Sequence, residues 1–414
     1  MDKIFKKSRV KSRINAISSK SEAHRYLICA ALGDAPVEMV CTDTNADIDA
    51  TAACLNALGA SIVRQGESFL IEPIKKVNKS AVLDCNESGS TLRFMLPVAA
   101  ALDADCTFVM RGRLAQRPLS PLYELLAKNG IVLSEQGVSP FSIKGKLTSG
   151  EYSLAANISS QFISGMLFAL SICDGESKLS LEGRLESAPY AHMTLDALRA
   201  FGADIKFDSE TNTYTVNGKD NLHSPARVTV GGDWSNAAFF LAAGAIGEEC
   251  VTVTGLDANS RQGDREMLEI LKKMGARIEI SADGITVYPS KLHSVDIDAS
   301  NIPDLVPILA TVASVAEGKT TIYNASRLRL KESDRIESVC NMLLLLGANI
   351  SPTDDGMVVV GKPHLCGGMV DSCNDHRIAM SAAIASLVCA GEVAISRFEA
   401  INKSYPSFAE NFTE

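Results

Sequence analysis

Two hydrophobic patterns alternate along the chain, and each of them predicts a helix. The first is an apolar helical ridge that ends in glycine and continues as a strand. Its glycines are Gly59, Gly130, Gly202, Gly275 and Gly347, which recur at intervals of 71 to 73 residues. Glycine after an amphipathic helix is typical of a left-handed C-cap. The spacing therefore predicts a repeated structural unit of about 72 residues.

The second pattern occurs six times, out of phase with the first. Each copy opens with small polar residues and continues as an Ala-rich helix that is apolar nearly all round, which predicts burial. A short β-type run such as CTFVMRG or CVTVTG follows each of these helices. The pattern favours globular domains in which sheets surround a core of helices. The copies begin at Ser21, Gly89, Ser159, Trp234, Ile302 and Asn374.

Six such units account for nearly the whole chain, and three per domain is the natural division. The sixth unit is truncated, so that only residues around 407–414 remain for its second helix. We expect the N-terminal strand, around residues 8–16, to supply its missing closing strand. This predicts one domain from residues 18–231 and another from residues 1–17 plus 232–414. A hinge near 16–18 and 231–233, with closure on substrate binding, is the corresponding expectation.

Composition and charge exclude several classes of partner. Forty Lys and Arg residues against 49 Asp and Glu give a net charge of −9, which argues against nucleic acid and against an anionic membrane surface. The 11 scattered cysteines contain no C-x-x-C pair, as expected for reduced cytoplasmic thiols. The basic N-terminus lacks the apolar core of a secretory signal, and no apolar run approaches the roughly 18 residues of a membrane helix. We therefore expect a cytoplasmic protein.

Polar residues that break the repeat lie at the starts of the buried helices and in the loops before the surface helices. Ser, Thr and Asp at helix starts are typical N-caps. Lys20, Arg93 and Arg377 are not needed for capping, and a cation there is unfavourable unless an anion lies nearby. The segment LRLKESDR is either a solvated helix start with ion pairs or part of a site. Repetition of the cationic starts favours an anion site.

Several familiar motifs are missing from the sequence. HExxH, the phosphate-binding G-x-x-x-x-G-K-[ST] and the dinucleotide-binding G-x-G-x-x-G do not occur. Residues 43–49 resemble a calcium loop, but Ile48 occupies the position that needs glycine. The six histidines have no metal-ligand spacing. We expect no metal site.

In combination, the pattern-breaking motifs resemble the 5-enolpyruvylshikimate-3-phosphate synthase family over essentially the full chain. The implied fold is α/β, a two-domain inside-out α/β barrel in which each domain has three βαβαββ repeats with helices inside and sheets outside. The resemblance implies enolpyruvyl transfer from phosphoenolpyruvate to the 5-hydroxyl of shikimate 3-phosphate, without metal or organic cofactor. We expect a monomer. The motifs that carry the resemblance are SSKSEAHR, ESGSTLR, RLAQRP, SSQF, ESAPY, LRLKESDRI, NDHRIAM and NKSYPSF.

The resemblance also implies roles for individual residues. Lys20, Asp304 and Glu332 are the implied catalytic residues, with Asp304 at the reacting hydroxyl and Glu332 exchanging protons with the methylene. The implied shikimate 3-phosphate residues are Lys20, Ser21, Arg25, Ser159, Ser160, Gln161, Ser187, Tyr190, Asp304, Arg327 and Lys331. The implied phosphoenolpyruvate residues are Lys20, Gly89, Arg93, Arg117, Gln161, Arg335, Arg377 and Lys403. The chain departs from the common pattern at Glu87, Phe94 and Arg327, where many members have Asn, Pro, and Asn or His.

Two other functions compete with this interpretation. The sister transferase that acts on UDP-N-acetylglucosamine shares the fold and chemistry, but its usual cysteine is missing from the loop RGRLAQRP. A non-catalytic, phosphate-binding homologue would not need Lys20, Asp304 and Glu332 together. The sequence therefore favours the shikimate enzyme.

Overall fold

The computed structural model describes residues 2–6, 9–218 and 222–413 of the chain. The chain divides into two compact units. The terminal unit consists of Met1–Ile17 and Gly231–Glu414, and the central unit consists of Ser18–Val230.

The described residues contain eleven α-helices, most of which begin at a side chain that caps the helix. In order they are α1 (Lys20–Leu32), α2 (Ala46–Leu58), α3 (Gly89–Ala101), α4 (Leu122–Lys128), α5 (Ser160–Leu170), α6 (Ala188–Ala200), α7 (Trp234–Ile246), α8 (Met267–Lys273), α9 (Val306–Ala313), α10 (Arg335–Leu345) and α11 (His376–Ala385).

The strands are short, two to seven residues each. In order they are β1 (Lys3–Phe5), β2 (Arg9–Val10), β3 (Arg13–Asn15), β4 (Val37–Val40), β5 (Ser61–Gln65), β6 (Ser68–Glu72), β7 (Val82–Asp84), β8 (Thr107–Val109), β9 (Val132–Leu133), β10 (Phe141–Lys144), β11 (Glu151–Ala155), β12 (Glu176–Glu182), β13 (Asp204–Asp208), β14 (Thr213–Asn217), β15 (Arg227–Thr229), β16 (Val251–Thr254), β17 (Arg277–Ser281), β18 (Gly284–Tyr288), β19 (Ile297–Asp298), β20 (Lys319–Tyr323), β21 (Asn349–Pro352), β22 (Met357–Val360), β23 (Gly368–Asp371), β24 (Val393–Ser396) and β25 (Phe412–Thr413).

The sheets of the central unit repeat one topology. Their strand orders are β15-β4-β6-β5, β7-β8-β10-β9 and β11-β12-β14-β13. The first pair in each sheet is parallel and the following pairs are antiparallel. A parallel pair needs a crossover connection, and in the second and third sheets the helices α3 and α5 supply it. The three sheets are thus three copies of one unit, as the glycine spacing predicts.

The terminal unit repeats the same topology with strands from both chain ends. Two of its sheets have the orders β3-β16-β18-β17 and β19-β20-β22-β21, each with a parallel first pair. In the third sheet β23 and β24 are parallel and β1 runs antiparallel to β24. The last strand, β25, pairs with β2.

The N-terminal strands differ from the prediction in their assignment. It is Lys3–Phe5 that takes the open edge of the sixth repeat, whereas Arg13–Asn15 pairs with β16 of the fourth. The predicted second helix around 407–414 is also wrong, because two 3-10 turns, Phe398–Lys403 and Phe408–Asn411, occupy this end of the chain. Apolar alternation predicts a strand but does not state which sheet edge receives it.

The Ala-rich helices form the cores of the two units. In the central unit α1, α3 and α5 are buried among the sheets, and in the terminal unit α7, α9 and α11 are. Close approach of α3 and α5 depends on Gly165, because a Cβ there would lie 2.3 Å from the carbonyl oxygen of Arg93. The 11 cysteines are free thiols and eight of them are buried. No helix within the described residues is long and apolar enough to cross a membrane.

Candidate active site

Three helices of the central unit begin at serine caps. The hydroxyl oxygens of Ser19, Ser88 and Ser159 accept N–H groups from the first turns of α1, α3 and α5, at 3.4, 3.2 and 3.3 Å. A cap satisfies only part of the set of N–H groups that a helix start leaves without an intrahelical partner. The remaining N–H groups and the helix dipole favour an anion at each start.

Polar side chains link the starts of α3 and α5. One guanidinium nitrogen of Arg93 donates to Oε1 of Gln161 at 2.7 Å, and Nε2 of Gln161 donates to the hydroxyl of Ser90 at 2.9 Å. Arg93 also stacks over the ring of Phe162, 5.3 Å from its centroid. The contacts fix a cation and an amide between two helix starts.

Arg117 lies directly over the start of α3. A Cβ built on Gly89 would be 2.8 Å from one terminal nitrogen of Arg117 and 3.0 Å from its central carbon. The arginine is buried, although it stands in a loop just before Pro118. Glycine at position 89 therefore allows a guanidinium to approach the backbone at the helix start.

Lys20 opens α1 and pairs with a carboxylate from α2. Its Nζ lies 2.8 Å from Oδ2 of Asp47, and both side chains are mostly buried. Asp47 belongs to the segment that resembles a calcium loop, and Asn45 of that segment is the N-cap of α2. The segment thus places an anion beside the predicted catalytic lysine.

Arg25 is buried between α1 and α6. Its guanidinium donates to the carbonyl oxygens of Ser21 and Tyr190, at 2.6 and 2.7 Å, and to the hydroxyl of Thr194 at 2.8 Å. Burial lowers the pKa of Arg25 to about 10, which still leaves it a cation at neutral pH. Ser187, in the left-handed region at φ 54°, precedes α6 and is also buried. These contacts hold the start of α6 against α1.

The terminal unit gathers three carboxylates around one arginine. Arg335 is 1% exposed; its terminal nitrogens donate to Asp304 and to Glu332, at 2.7 Å each, and its Nε donates to Asp375 at 2.8 Å. The predicted site segments IPD, KESDR and NDHR therefore converge. Burial would lower the pKa of Arg335, but the three carboxylates outweigh it and raise that pKa above its usual value.

Asp304 lies among cations. Arg377 donates to its Oδ2 at 3.2 Å and to its backbone oxygen at 3.1 Å, and Nζ of Lys331 lies 3.8 Å from Oδ1. Burial alone would raise the pKa of Asp304, yet Arg377, Lys331 and Arg335 together hold it well below its usual value. The group is an ionised carboxylate at neutral pH and can accept a proton.

The remaining predicted residues of the terminal unit bind backbone carbonyls. Lys403 donates to the oxygen of Asn374 at 2.6 Å, and Arg327 donates to the oxygen of Ser300 at 2.7 Å. Asn374 and the preceding Cys373 both have φ of 54°, in the left-handed region. Such backbone is costly for cysteine and is found where a turn must place neighbouring groups.

Sequence reasoning did not single out two carboxylates. Asp375 is fully buried, caps α11 and accepts hydrogen bonds from Arg335 and Ser333. Its N-cap position within NDHR is the signal in the sequence that could have indicated it. Asp47 meets Lys20 from 27 residues away, and no local pattern predicts that contact. Within the described residues no cluster of His, Cys, Asp or Glu could hold a metal ion.

Comparisons of the sequence with known proteins all point to the same family. A sequence model of the family EPSP synthase (3-phosphoshikimate 1-carboxyvinyltransferase) matches residues 4–412. The 3-phosphoshikimate 1-carboxyvinyltransferase of Clostridium perfringens is 41% identical over 413 residues, covering 99% of this chain and 97% of the relative. That of Clostridium novyi is 40% identical, covering 98% and 95%.

Solved structures are similar to this fold over nearly the whole chain. EPSP synthase from Acinetobacter baumannii aligns with a TM-score of 0.79 at 27% identity, over 98% of this chain and 95% of the other. The enolpyruvyl transferase NikO from Streptomyces tendae, at 20% identity and a TM-score of 0.78, shares the fold over 97% of this chain and 94% of its own. The chain belongs to the EPSP synthase family, and its fold is the two-domain α/β fold of that family.

Proposed function

We infer that the protein transfers the 1-carboxyvinyl group of phosphoenolpyruvate to the 5-hydroxyl of shikimate 3-phosphate and releases phosphate, a step of aromatic amino acid biosynthesis. The observation that carries this function is the carboxylate cluster around Arg335, within a chain that belongs to the family from end to end. It supplies ionised oxygens for proton transfer beside cations for anionic substrates.

The reaction proceeds by addition and elimination. The 5-hydroxyl oxygen bonds to C2 of phosphoenolpyruvate, its proton leaves to a base, and the C3 methylene gains a proton to become methyl. The tetrahedral intermediate then loses a proton from that methyl group as the bond to the phosphate oxygen breaks, which restores the double bond. Asp304 suits the role of base because its surroundings keep it ionised. Glu332 and Lys20 are the candidates for the methylene proton.

The proposed binding residues are those that the sequence predicts. For shikimate 3-phosphate they are Lys20, Ser21, Arg25, Ser159, Ser160, Gln161, Ser187, Tyr190, Asp304, Arg327 and Lys331. For phosphoenolpyruvate they are Lys20, Gly89, Arg93, Arg117, Gln161, Arg335, Arg377 and Lys403. Arginine suits such anions because its planar fork bonds a carboxylate or phosphate through two N–H groups.

The bonding of Arg335 suggests how substrate binding and proton transfer are linked. Its Nε–H side is held by Asp375, while its terminal nitrogens reach Asp304 and Glu332. An incoming carboxylate that pairs with those terminal nitrogens competes with the two catalytic carboxylates. Binding of phosphoenolpyruvate would therefore release Asp304 and Glu332 for proton transfer.

A phosphate-release assay tests the function directly. We expect turnover only when shikimate 3-phosphate and phosphoenolpyruvate are both present. Glu332→Gln should reduce kcat by at least about 100-fold, whereas Glu337→Gln, in the exposed first turn of α10, serves as the matched control and should keep it. Turnover with UDP-N-acetylglucosamine in place of shikimate 3-phosphate would assign the sister reaction instead. Absence of turnover with either acceptor would contradict both.

We further propose that the protein acts as a cytoplasmic monomer on these two small molecules, without a nucleic-acid or membrane partner. The net charge of −9 supports the exclusion of polyanionic partners. Light scattering coupled to size exclusion should give a mass close to the 44.1 kDa of one chain. A mass of twice that value would replace the monomer by a dimer.

A further inference from the structure

Four buried side chains form one chain of hydrogen bonds through the central unit. Nδ1 of His24 in α1 lies 2.7 Å from the hydroxyl of Thr51 in α2, which lies 2.7 Å from the hydroxyl of Thr91 in α3. Thr91 then donates to the hydroxyl oxygen of Ser88 at 2.7 Å. Each of the four residues is at most 1% exposed. We call this set the His24 chain.

The hydrogen bonds of the His24 chain all donate in the same direction, from His24 towards Ser88. A hydroxyl donates one proton, and the acceptors of the Thr91 hydroxyl are Ser88 at 2.7 Å and the carbonyl oxygen of Asp47 at 3.4 Å. Thr51 must therefore donate to Thr91 and accept from His24, so that the imidazole carries its proton on Nδ1. Burial, with Lys20 and Arg25 nearby, lowers the pKa of His24 well below its usual value and keeps the ring neutral. One imidazole tautomer is thus linked to the orientation of two hydroxyl groups, those of Thr51 and Thr91.

The chain ends at the cap of α3. The oxygen of Ser88 that receives the Thr91 hydroxyl also accepts the backbone N–H of Thr91 at 3.2 Å. The same first turn carries Gly89, whose Cα faces Arg117, and Ser90, which holds Gln161. Geometry set at Ser88 and Thr91 is therefore passed to the residues proposed for phosphoenolpyruvate.

An apolar contact joins the same two helices. The rings of Phe94 in α3 and His24 in α1 make an edge contact, with centroids 6.3 Å apart. The guanidinium of Arg25 lies over the Phe94 ring, 5.3 Å from its centroid. Helix α1, which begins with Lys20, is thus connected to α3 by polar and by apolar contacts.

We propose that the His24 chain is a positioning device that holds the first turn of α3 in register with Lys20 on α1, with Thr51 and Thr91 as positioning residues for phosphoenolpyruvate. The proposal rests on the proposed function. None of these four residues is assigned to contact a substrate, so they act through Gly89, Arg117 and Gln161.

Steady-state kinetics of Thr91→Val test it. Valine keeps the shape and removes the hydroxyl, so that Thr51 loses its acceptor and Ser88 keeps the backbone N–H of residue 91 but loses the hydroxyl donor. We expect the KM for phosphoenolpyruvate to rise about tenfold, because a helix start displaced by a fraction of an ångström costs binding of that order. The KM for shikimate 3-phosphate and kcat should stay within about twofold to threefold, and Thr91→Ser should restore the native values.

Thr311→Val is the matched control. Thr311 is an equally buried helical threonine in the terminal unit, where its hydroxyl donates to the carbonyl of Pro307 at 3.0 Å. It should lower the melting temperature to a similar extent without raising the KM for phosphoenolpyruvate. An unchanged KM in Thr91→Val, or an equal rise in Thr311→Val, would overturn the proposal.

The tautomer of His24 gives a readout that does not require activity. Nitrogen-15 NMR of the histidine-labelled native protein should show His24 protonated on Nδ1 alone from pH 6 to pH 8, with His24→Gln identifying its signals. Protonation on Nε2 would overturn the proposal even if the enzyme is active. If the native protein lacks turnover, the proposed function fails whatever the tautomer, and the positioning role fails with it.

Discussion

The start of α3 allows a sharp test of the proposed phosphoenolpyruvate site by a single methyl group. In Gly89→Ala the new Cβ would lie 2.8 Å from a terminal nitrogen of Arg117 and 3.0 Å from two further atoms of the same guanidinium. Ordinary contact begins at 3.4 Å, so the guanidinium must retreat by about 0.6 Å. The arginine is buried, so that the displacement occurs inside the protein.

The expected effect is a loss of substrate affinity without a loss of stability. A misplacement of about 1 Å at a reacting site costs on the order of 100-fold, so we expect kcat/KM for phosphoenolpyruvate to fall about 10- to 100-fold. That fall corresponds to about 1.4 to 2.7 kcal/mol. Alanine is a better helix former than glycine, and Gly89 does not have a positive φ, so the melting temperature should not fall.

Initial-rate kinetics with either substrate varied, together with a double-mutant cycle, measure this effect. If the methyl group acts through Arg117, adding Gly89→Ala to Arg117→Ala should cost little more than Arg117→Ala alone. Gly150→Ala is the control, because its Cβ would meet no atom closer than 3.9 Å. Losses that multiply in the double variant, or an unchanged kcat/KM in the single one, would refute the reasoning.

Three further predictions concern buried charges. Asp375→Asn should lower the free energy of unfolding, measured in urea, by about 3 to 5 kcal/mol, because it leaves Arg335 buried with one partner fewer. The control is Asp371→Asn, which breaks the half-exposed pair with Arg397 and should lower the free energy of unfolding by about 1 kcal/mol or less. Burial, with Asp304 nearby, raises the pKa of Asp264 from 3.8 to about 6, so the folded state binds this proton more tightly than the unfolded state. The resulting stabilisation is complete well below pH 3.8 and is lost as the pH rises through 6. Between pH 4 and pH 7 the native protein should therefore lose about 2 kcal/mol relative to Asp264→Asn, and parallel pH profiles would contradict this. Lys20→Ala should reduce kcat at least about 100-fold at saturating substrates, and a near-native rate would remove this lysine from the mechanism.

The fold was largely predictable because its signal is repeated. Glycines at intervals of 71 to 73 residues and six Ala-rich segments predict the helices, their burial and the sheets around them. The placement of the chain ends was not predictable, because a strand of three residues carries no information on which sheet edge it joins. Hence Arg13–Asn15 lies beside β16, and Lys3–Phe5 beside β24.

The pairing of the predicted site residues was not predictable from the sequence. Lys20, Arg93 and Arg377 are unusual in the sequence because a helix start does not need a cation. The partners of such residues lie far away in the sequence. Arg377 contacts Asp304, 73 residues away, and Arg335 contacts Asp375, 40 residues away. Such pairs follow only from the packing of repeats, which a single sequence does not specify residue by residue.

Capping and anion binding, which compete as interpretations of a polar helix start, are compatible in this fold. The Ser88 oxygen accepts the N–H of Thr91, the third residue of α3, and so leaves the first two N–H groups of the helix to other acceptors. In a capping box, a Glu or Gln at the third helical position would instead bond the backbone N–H of the cap residue itself. Threonine at this position instead donates its hydroxyl to Ser88. The side chain that completes the cap therefore also keeps the helix start open for an anion.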